Sequence, residues 1–154
     1  MKYAVMCALA LITVLVAVMP SAAVDFEKKG FRVTYEPWKE VETVDIPNST
    51  YTDGANHQQN RKKATLHLSL TGAVRNEYAR NITTMSLVFA IAYPDEGRNE
   101  QATVTVSSLG PQERRDFRQA LRDIPDGSTS FQVRADLVKL QVVYKDGTTE
   151  EIKP

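Results

Sequence analysis

Few side chains in this sequence could carry acid–base or metal chemistry near neutral pH. The two histidines are His57 and His67. A pair of imidazoles could serve as a metal pair or as a general base, but only if the chain brings His57 back toward His67. His67 lies among alternating leucines, on the polar side of its own segment, and His57 stands in a polar stretch, so both read as surface imidazoles. Asp95, Glu96 and Glu100 cluster within six residues and could offer oxygen ligands to calcium. Arg98 stands inside the same cluster and opposes a cation, so a solvated turn is the plainer reading.

The single cysteine, Cys7, lies in an apolar run and offers no redox pair or thiolate site. The patterns His-Glu-x-x-His, Gly-x-Ser-x-Gly and Gly-x-x-x-x-Gly-Lys do not occur. No catalytic residue, cofactor-binding residue or metal ligand is assigned. The remaining chemical feature is charge. Arg114, Arg115, Arg118 and Arg122 form a basic cluster interspersed with Glu113, Asp116 and Asp123, and Arg61-Lys62-Lys63 forms a second. These guanidinium groups are candidates for contact with an anionic envelope partner; the plainer alternative is a solvated, ion-paired surface. Trp38, Tyr51 and Tyr78 are candidate exposed aromatics, with Trp38 beside Pro37 more readily read as core packing.

The chain that must position these groups has 154 residues, 42% of them apolar, with 19 basic and 19 acidic side chains and formal net charge +0. That length suits one domain, and the composition is that of a folded chain. Balanced charge gives no footprint for nucleic acid, whose backbone demands a basic surplus.

The N-terminus reads as an export signal. Lys2 is the only charge in the first 23 residues, Ala4 to Met19 is uncharged and apolar, Pro20 interrupts any helix, and Ser21-Ala22-Ala23 supplies small residues for cleavage. The run falls short of the ~20 residues a membrane-spanning helix needs. Cleavage after Ala23 would also remove Cys7, and a cysteine-free exported chain fits the bacterial periplasm or exterior. It would leave no membrane span.

Beyond the signal, apolar residues alternate with polar ones. Phe31, Val33 and Tyr35 predict a strand, which Pro37 ends or marks as an edge. Val41 to Ile46 predicts a second short strand, and Asn48 to Lys63, poor in large apolar groups, a mobile loop. Leu66, Leu68 and Leu70 predict the clearest amphipathic strand. Met85, Leu87, Phe89, Ile91 and Tyr93 predict a long central strand, whose other face is small enough to be covered as well. Pro94-Asp95-Glu96-Gly97 predicts a turn with Gly97 at positive φ, and Ala102 to Val106 the returning hairpin partner. The next segment is ambiguous: Phe117, Leu121 and Ile124 fit helical spacing, so a short helix or turn is expected around 111–122. Further on, apolar parity flips between Leu137 and Val138. A strand cannot flip faces without an interruption, so a β-bulge is expected within Ala135 to Lys139. Asp146-Gly147 predicts a last turn and Thr148 to Ile152 an edge strand. Short alternating strands between turns predict an all-β, antiparallel β-sandwich; the βαβ rhythm of a nucleotide-binding parallel sheet is missing.

One stretch carries more. Leu70-Thr71-Gly72-Ala73-Val74-Arg75-Asn76, then Ile82 to Tyr93-Pro94-Asp95-Glu96-Gly97, then Ala102 to Val106, and Leu109-Gly110-Pro111-Gln112-Glu113 with Phe117, resembles the FxLYD-type domains of bacterial exported proteins. Those run Gly-x-Val-x-Asn, a strand ending near Tyr-Asp, another strand, then Leu-x-Pro-Gly-Glu and Phe. The chain departs by placing Pro94 inside the Tyr-Asp pair and Gln112 where the family has Gly. The resemblance covers 70–117 and implies an immunoglobulin-like module of the cell envelope, with no catalytic residues to carry over.

The expected organisation is a cleavable signal at 1–23, N-terminal strands and a polar loop at 24–63, and the sandwich body at 64–154, with 24–154 one domain. The expected function is a non-enzymatic exported module, periplasmic or extracellular, that binds a protein or envelope component. The alternative is a small envelope hydrolase or metal-dependent enzyme using His57 or the Asp95/Glu96 loop.

Overall fold

The computed structural model describes the backbone of residues 17–20, 23–52 and 58–154, and side chains within 23–46 and 62–154. Nine strands and one 3₁₀ turn make up the described chain: β1 (Ala17–Pro20), β2 (Val24–Lys28), β3 (Phe31–Thr52), β4 (Gln58–Asn76), β5 (Ile82–Tyr93), β6 (Arg98–Leu109), β7 (Arg114–Pro125), β8 (Arg134–Tyr144) and β9 (Thr149–Ile152). All pairings are antiparallel. One sheet runs β3-β4-β7, with β1 and β2 sharing the outer edge of β3; the other runs β6-β5-β8-β9. The two sheets pack face to face as an all-β sandwich.

The core is what the alternation predicts. Phe31, Val33, Tyr35, Leu66, Leu68 and Leu70 from the first sheet meet Met85, Leu87, Phe89, Ile91 and Tyr93 from the second, and all are buried. Aromatic rings join the layers: Tyr35 meets Phe89 edge-on at 5.0 Å, and Phe117 tilts against Phe89 at 6.2 Å. Turn chemistry holds at the predicted places. Gly97 closes the Pro94–Glu96 turn at φ 62°, Gly147 lies at φ 84°, and β9 forms the edge. Lys29 and Gly30, at φ 48° and 72°, make the two-residue turn between β2 and β3, the mirror-image type whose twist matches a hairpin.

The bulge in β8 is present. Val88 faces Lys139 while Phe89 faces Leu137, so Val138 is the extra residue. Leu137 and Leu140 both stay buried, and Val138 is pushed out to 41% exposure. The backbone N–H of Leu137 donates across the sandwich to the Tyr35 hydroxyl at 3.0 Å.

Four expectations need correction. Residues 114–125 form strand β7, not a short helix or turn; only 111–112 turn. Its helix-like spacing has a strand cause. Leu68 faces Arg122 and Ser69 faces Ala120, so Leu121 is an extra, bulged residue. The bulge shifts the phase, and Phe117, Leu121 and Ile124 all pack on the core at intervals of four and three. Second, Val41 to Ile46 is no separate strand. β3 runs on through Pro37, which faces Leu70 on one side and on the other falls in the gap between β2 and β1. There its missing N–H costs no ladder bond. Third, the segment read as a loop is largely paired: Asp45 faces Lys62 and Thr50 faces Asn60, with an irregularity between Ile46 and Thr50. The boundary at 63/64 therefore falls inside β4. Polar composition misled here because backbone pairing needs no apolar side chain, and this ribbon is paired by its backbone through mostly polar residues. Fourth, among the described residues no further layer covers the outer face of central strand β5: Val88 is buried but Ala90 is exposed.

Candidate functional site

The richest side-chain grouping lies on the outer face of the β3-β4-β7 sheet. Inward leucines at 66, 68 and 70 force His67 and Ser69 outward. Register then sets Trp38 against Ser69, Glu40 against His67, and Asp123 against His67 from the other side. His67 sits between two carboxylates, with Nδ1 2.7 Å from Asp123 Oδ1 and Nε2 3.1 Å from Glu42 Oε2. The hydrogen bond to Asp123 is the main influence raising the imidazole above its ordinary range, with Glu42 adding to it against desolvation. Next to it Arg118 pairs with Glu40 at 3.2 Å. These groups surround a depression of about 430 Å³, with Ser69 and Ala120 among its lining.

Two polar atoms in this region are buried without a hydrogen-bond partner among the described residues: Trp38 Nε1 and Ser69 Oγ. Ser69 is only 5% exposed. Such groups are uncommon in folded proteins. Trp38 thus stands half-buried on the outer face, outside the core in which the sequence reading placed it. Glu36, Glu40 and Glu42 line the same face of β3, making its outer row acidic.

The four arginines are divided by the pleat. Arg114 and Arg118 face outward with Arg75 and Thr71, whereas Arg115 and Arg122 face Val74 and Leu68 on the inner side. Each has a carboxylate: Arg114 lies 3.0 Å from Asp116, Arg115 2.5 Å from Glu113, Arg118 3.2 Å from Glu40, and Arg122 pairs with Glu96. They do not converge on one patch. The Asp95 hairpin is likewise divided. Asp95 accepts from the Gln132 N–H at 2.7 Å, Glu96 takes Arg122, and Glu100 accepts from the Tyr93 hydroxyl. Burial, helped by Glu100, raises the Tyr93 phenol above its ordinary range. Among the described residues no group of three or more His, Cys, Asp or Glu is arranged to hold a metal ion. His57, Tyr51 and Arg61 fall outside the described side chains. Tyr78 packs edge-on against Phe31 at 5.2 Å and beneath Gly30, so it is a packing residue.

Asn76 enters the sequence reading only as the closing residue of the Gly-x-Val-x-Asn stretch, with no role attached. This side chain is fully buried. Its Nδ2 donates to the carbonyls of Arg80 at 2.8 Å, Gly110 at 3.1 Å and Leu109 at 3.4 Å, and its Oδ1 accepts from the Tyr78 N–H at 3.0 Å. Its backbone bonds Glu113 and Gln112. Its place at the end of an alternating strand, closing the Gly-x-Val-x-Asn stretch, is the signal the sequence offers for this role.

No family model, curated protein or solved structure matches this chain. Among the described residues no helix is long and apolar enough to cross a membrane.

Proposed function

We propose that this chain is an exported, non-enzymatic β-sandwich that binds a protein or envelope component in the periplasm or exterior, akin to the immunoglobulin-like FxLYD-type modules its 70–117 stretch resembles. Export rests on the order of Lys2, the apolar run and Ser21-Ala22-Ala23. The observation that carries the binding reading is the state of His67. Both ring nitrogens are engaged by carboxylates, so this imidazole is committed to holding strands together rather than to activating a nucleophile. A sandwich whose outer face holds a Trp, a buried unpartnered hydroxyl and an acidic row is suited to contact with another molecule.

Intact mass of the protein from its own host tests export: a chain beginning at Val24 is expected, and one retaining residues 1–23 overturns it. Chemical cross-linking in the envelope fraction, followed by identification of the adduct, tests binding. One dominant, saturable adduct that survives the double substitution His57→Ala, His67→Ala is expected. A hydrolytic activity lost in that double variant would overturn the non-enzymatic reading.

A further inference from the structure

We propose that the outer edge of β3, from Trp38 to Ile46, is a strand-addition site for an extended segment of a partner protein carrying Lys or Arg at alternate positions. This rests on the export reading, because the edge is opened by cleavage after Ala23. In the intact chain, part of that edge is taken by β1: Ala17 faces Val41, Val18 faces Glu40, Met19 faces Lys39 and Pro20 faces Trp38. The edge therefore admits an antiparallel strand in sheet register. Pairing continues no further along this side among the described residues, since β2 stops at Val24 opposite Tyr35 and β1 at Ala17 opposite Val41. Removal of residues 1–23 deletes β1 and leaves the edge amides and carbonyls of Trp38 to Ile46 without strand partners. Exposed edges of this kind are templates for another strand.

The side chains along the edge select the occupant. Glu36, Glu40 and Glu42 face outward on alternate positions around Trp38. A second copy pairing edge to edge about a two-fold axis normal to the sheet would bring outward glutamates against outward glutamates, which cross-strand pairing penalises. Glu40 already pairs with Arg118 and Glu42 with His67, but Glu36 has no ion pair among the described residues and Asp123 adds a further carboxylate beside His67, so the row keeps a negative surplus that favours a strand whose outward positions are cationic. Among the described residues the first buried one is Phe31, so the buried set begins seven residues beyond the cut.

The chain beginning at Val24 is to be mixed with an alternating Lys/Val octapeptide, its Glu/Val counterpart and an N-methylated Lys/Val version, with amide hydrogen exchange as the readout. The Lys/Val peptide is expected to slow exchange within 38–46 at least tenfold, with the effect shrinking as salt is raised. The other two peptides should leave those amides fast. Absence of protection by Lys/Val, or equal protection by the Glu/Val or N-methylated peptide, overturns the proposal. Because this chain starts at Val24 by design, the outcome is independent of the intact-mass test of export.

Discussion

A single buried amide shows how strongly one side chain can govern a corner of this protein. Asn76 offers two N–H bonds and an oxygen to three carbonyls and one amide, and nothing of the same shape does both. Asn76→Asp would set a carboxylate among those carbonyls with no proton to share. The expected loss is about 3 kcal/mol or more, read by urea denaturation, with Asn76→Ala costing about 1–3 kcal/mol. His67 makes a different prediction. Its acidity is weakened by Asp123 and Glu42, so the protonated form is favoured in the folded state. The stability it contributes is fully present below the unfolded imidazole's pKa, near 6.5, and is lost as pH rises through the higher folded value. The melting temperature should fall as pH rises through this range, and His67→Gln should flatten that dependence. Asp146 is held at about 2 by the Thr148 hydroxyl and N–H, then by Arg80, so it titrates well below this window and does not confuse it.

At the scale of elements, the two bulges separate what the sequence reveals from what it hides. In β8 two long apolar runs of opposite parity meet at Leu137 and Val138, and only an extra residue reconciles them. In β7 the runs are too short for such a contradiction to show: Phe117, Leu121 and Ile124 satisfy a helical period and a bulged strand equally, and only pairing with β4 decides. The long ribbon was obscured for another reason. Hydrophobic patterning is the signal for a half-buried strand, and the paired residues within 48–63 are mostly polar, so they leave no alternation to read. The outer-face site was the least legible part, because Glu42, His67 and Asp123 meet through register between three strands distant in sequence. The β8 bulge also yields a test. Deleting Val138 restores an unbroken period of two, with Leu137 and Leu140 still inward. That variant should fold and lose no more than about 1–2 kcal/mol, whereas deleting Gln141 turns Val142 and Tyr144 outward and should prevent folding at ~1.5–3 kcal/mol per displaced side chain. Circular dichroism melts of the two deletions distinguish these outcomes.

For the molecule as a whole, stability rests on the contact between the two sheets. Phe89 sits at its centre, touching Tyr35 and Phe117 from the opposite layer. Phe89→Ala is expected to cost about 3–5 kcal/mol. A shift near zero in the unfolding midpoint would mean that the layers do not meet there. Gly72 illustrates how closely the first sheet is built: a Cβ on it would lie 2.6 Å from the Phe117 ring and 2.2 Å from the Thr34 carbonyl oxygen. The aromatic ring covers a strand glycine that has no side chain of its own.

The length of β3 has a hydrodynamic consequence. With 22 residues against 12 in β5, it spans about 70 Å where its neighbours in the other sheet span about 40 Å, at ~3.3 Å per residue. β7 accompanies β4 only as far as Thr65, so beyond that point β3 and β4 continue as a two-stranded ribbon among the described residues. The described residues form a sandwich body from which this ribbon projects. In solution the protein's largest dimension in X-ray scattering should be set by the ribbon, and it should tumble end over end more slowly than it spins about its long axis. Anything held at the Thr52–Gln58 pairing would stand about 2–3 nm from the last pairing with β7, at ~3.3 Å per residue.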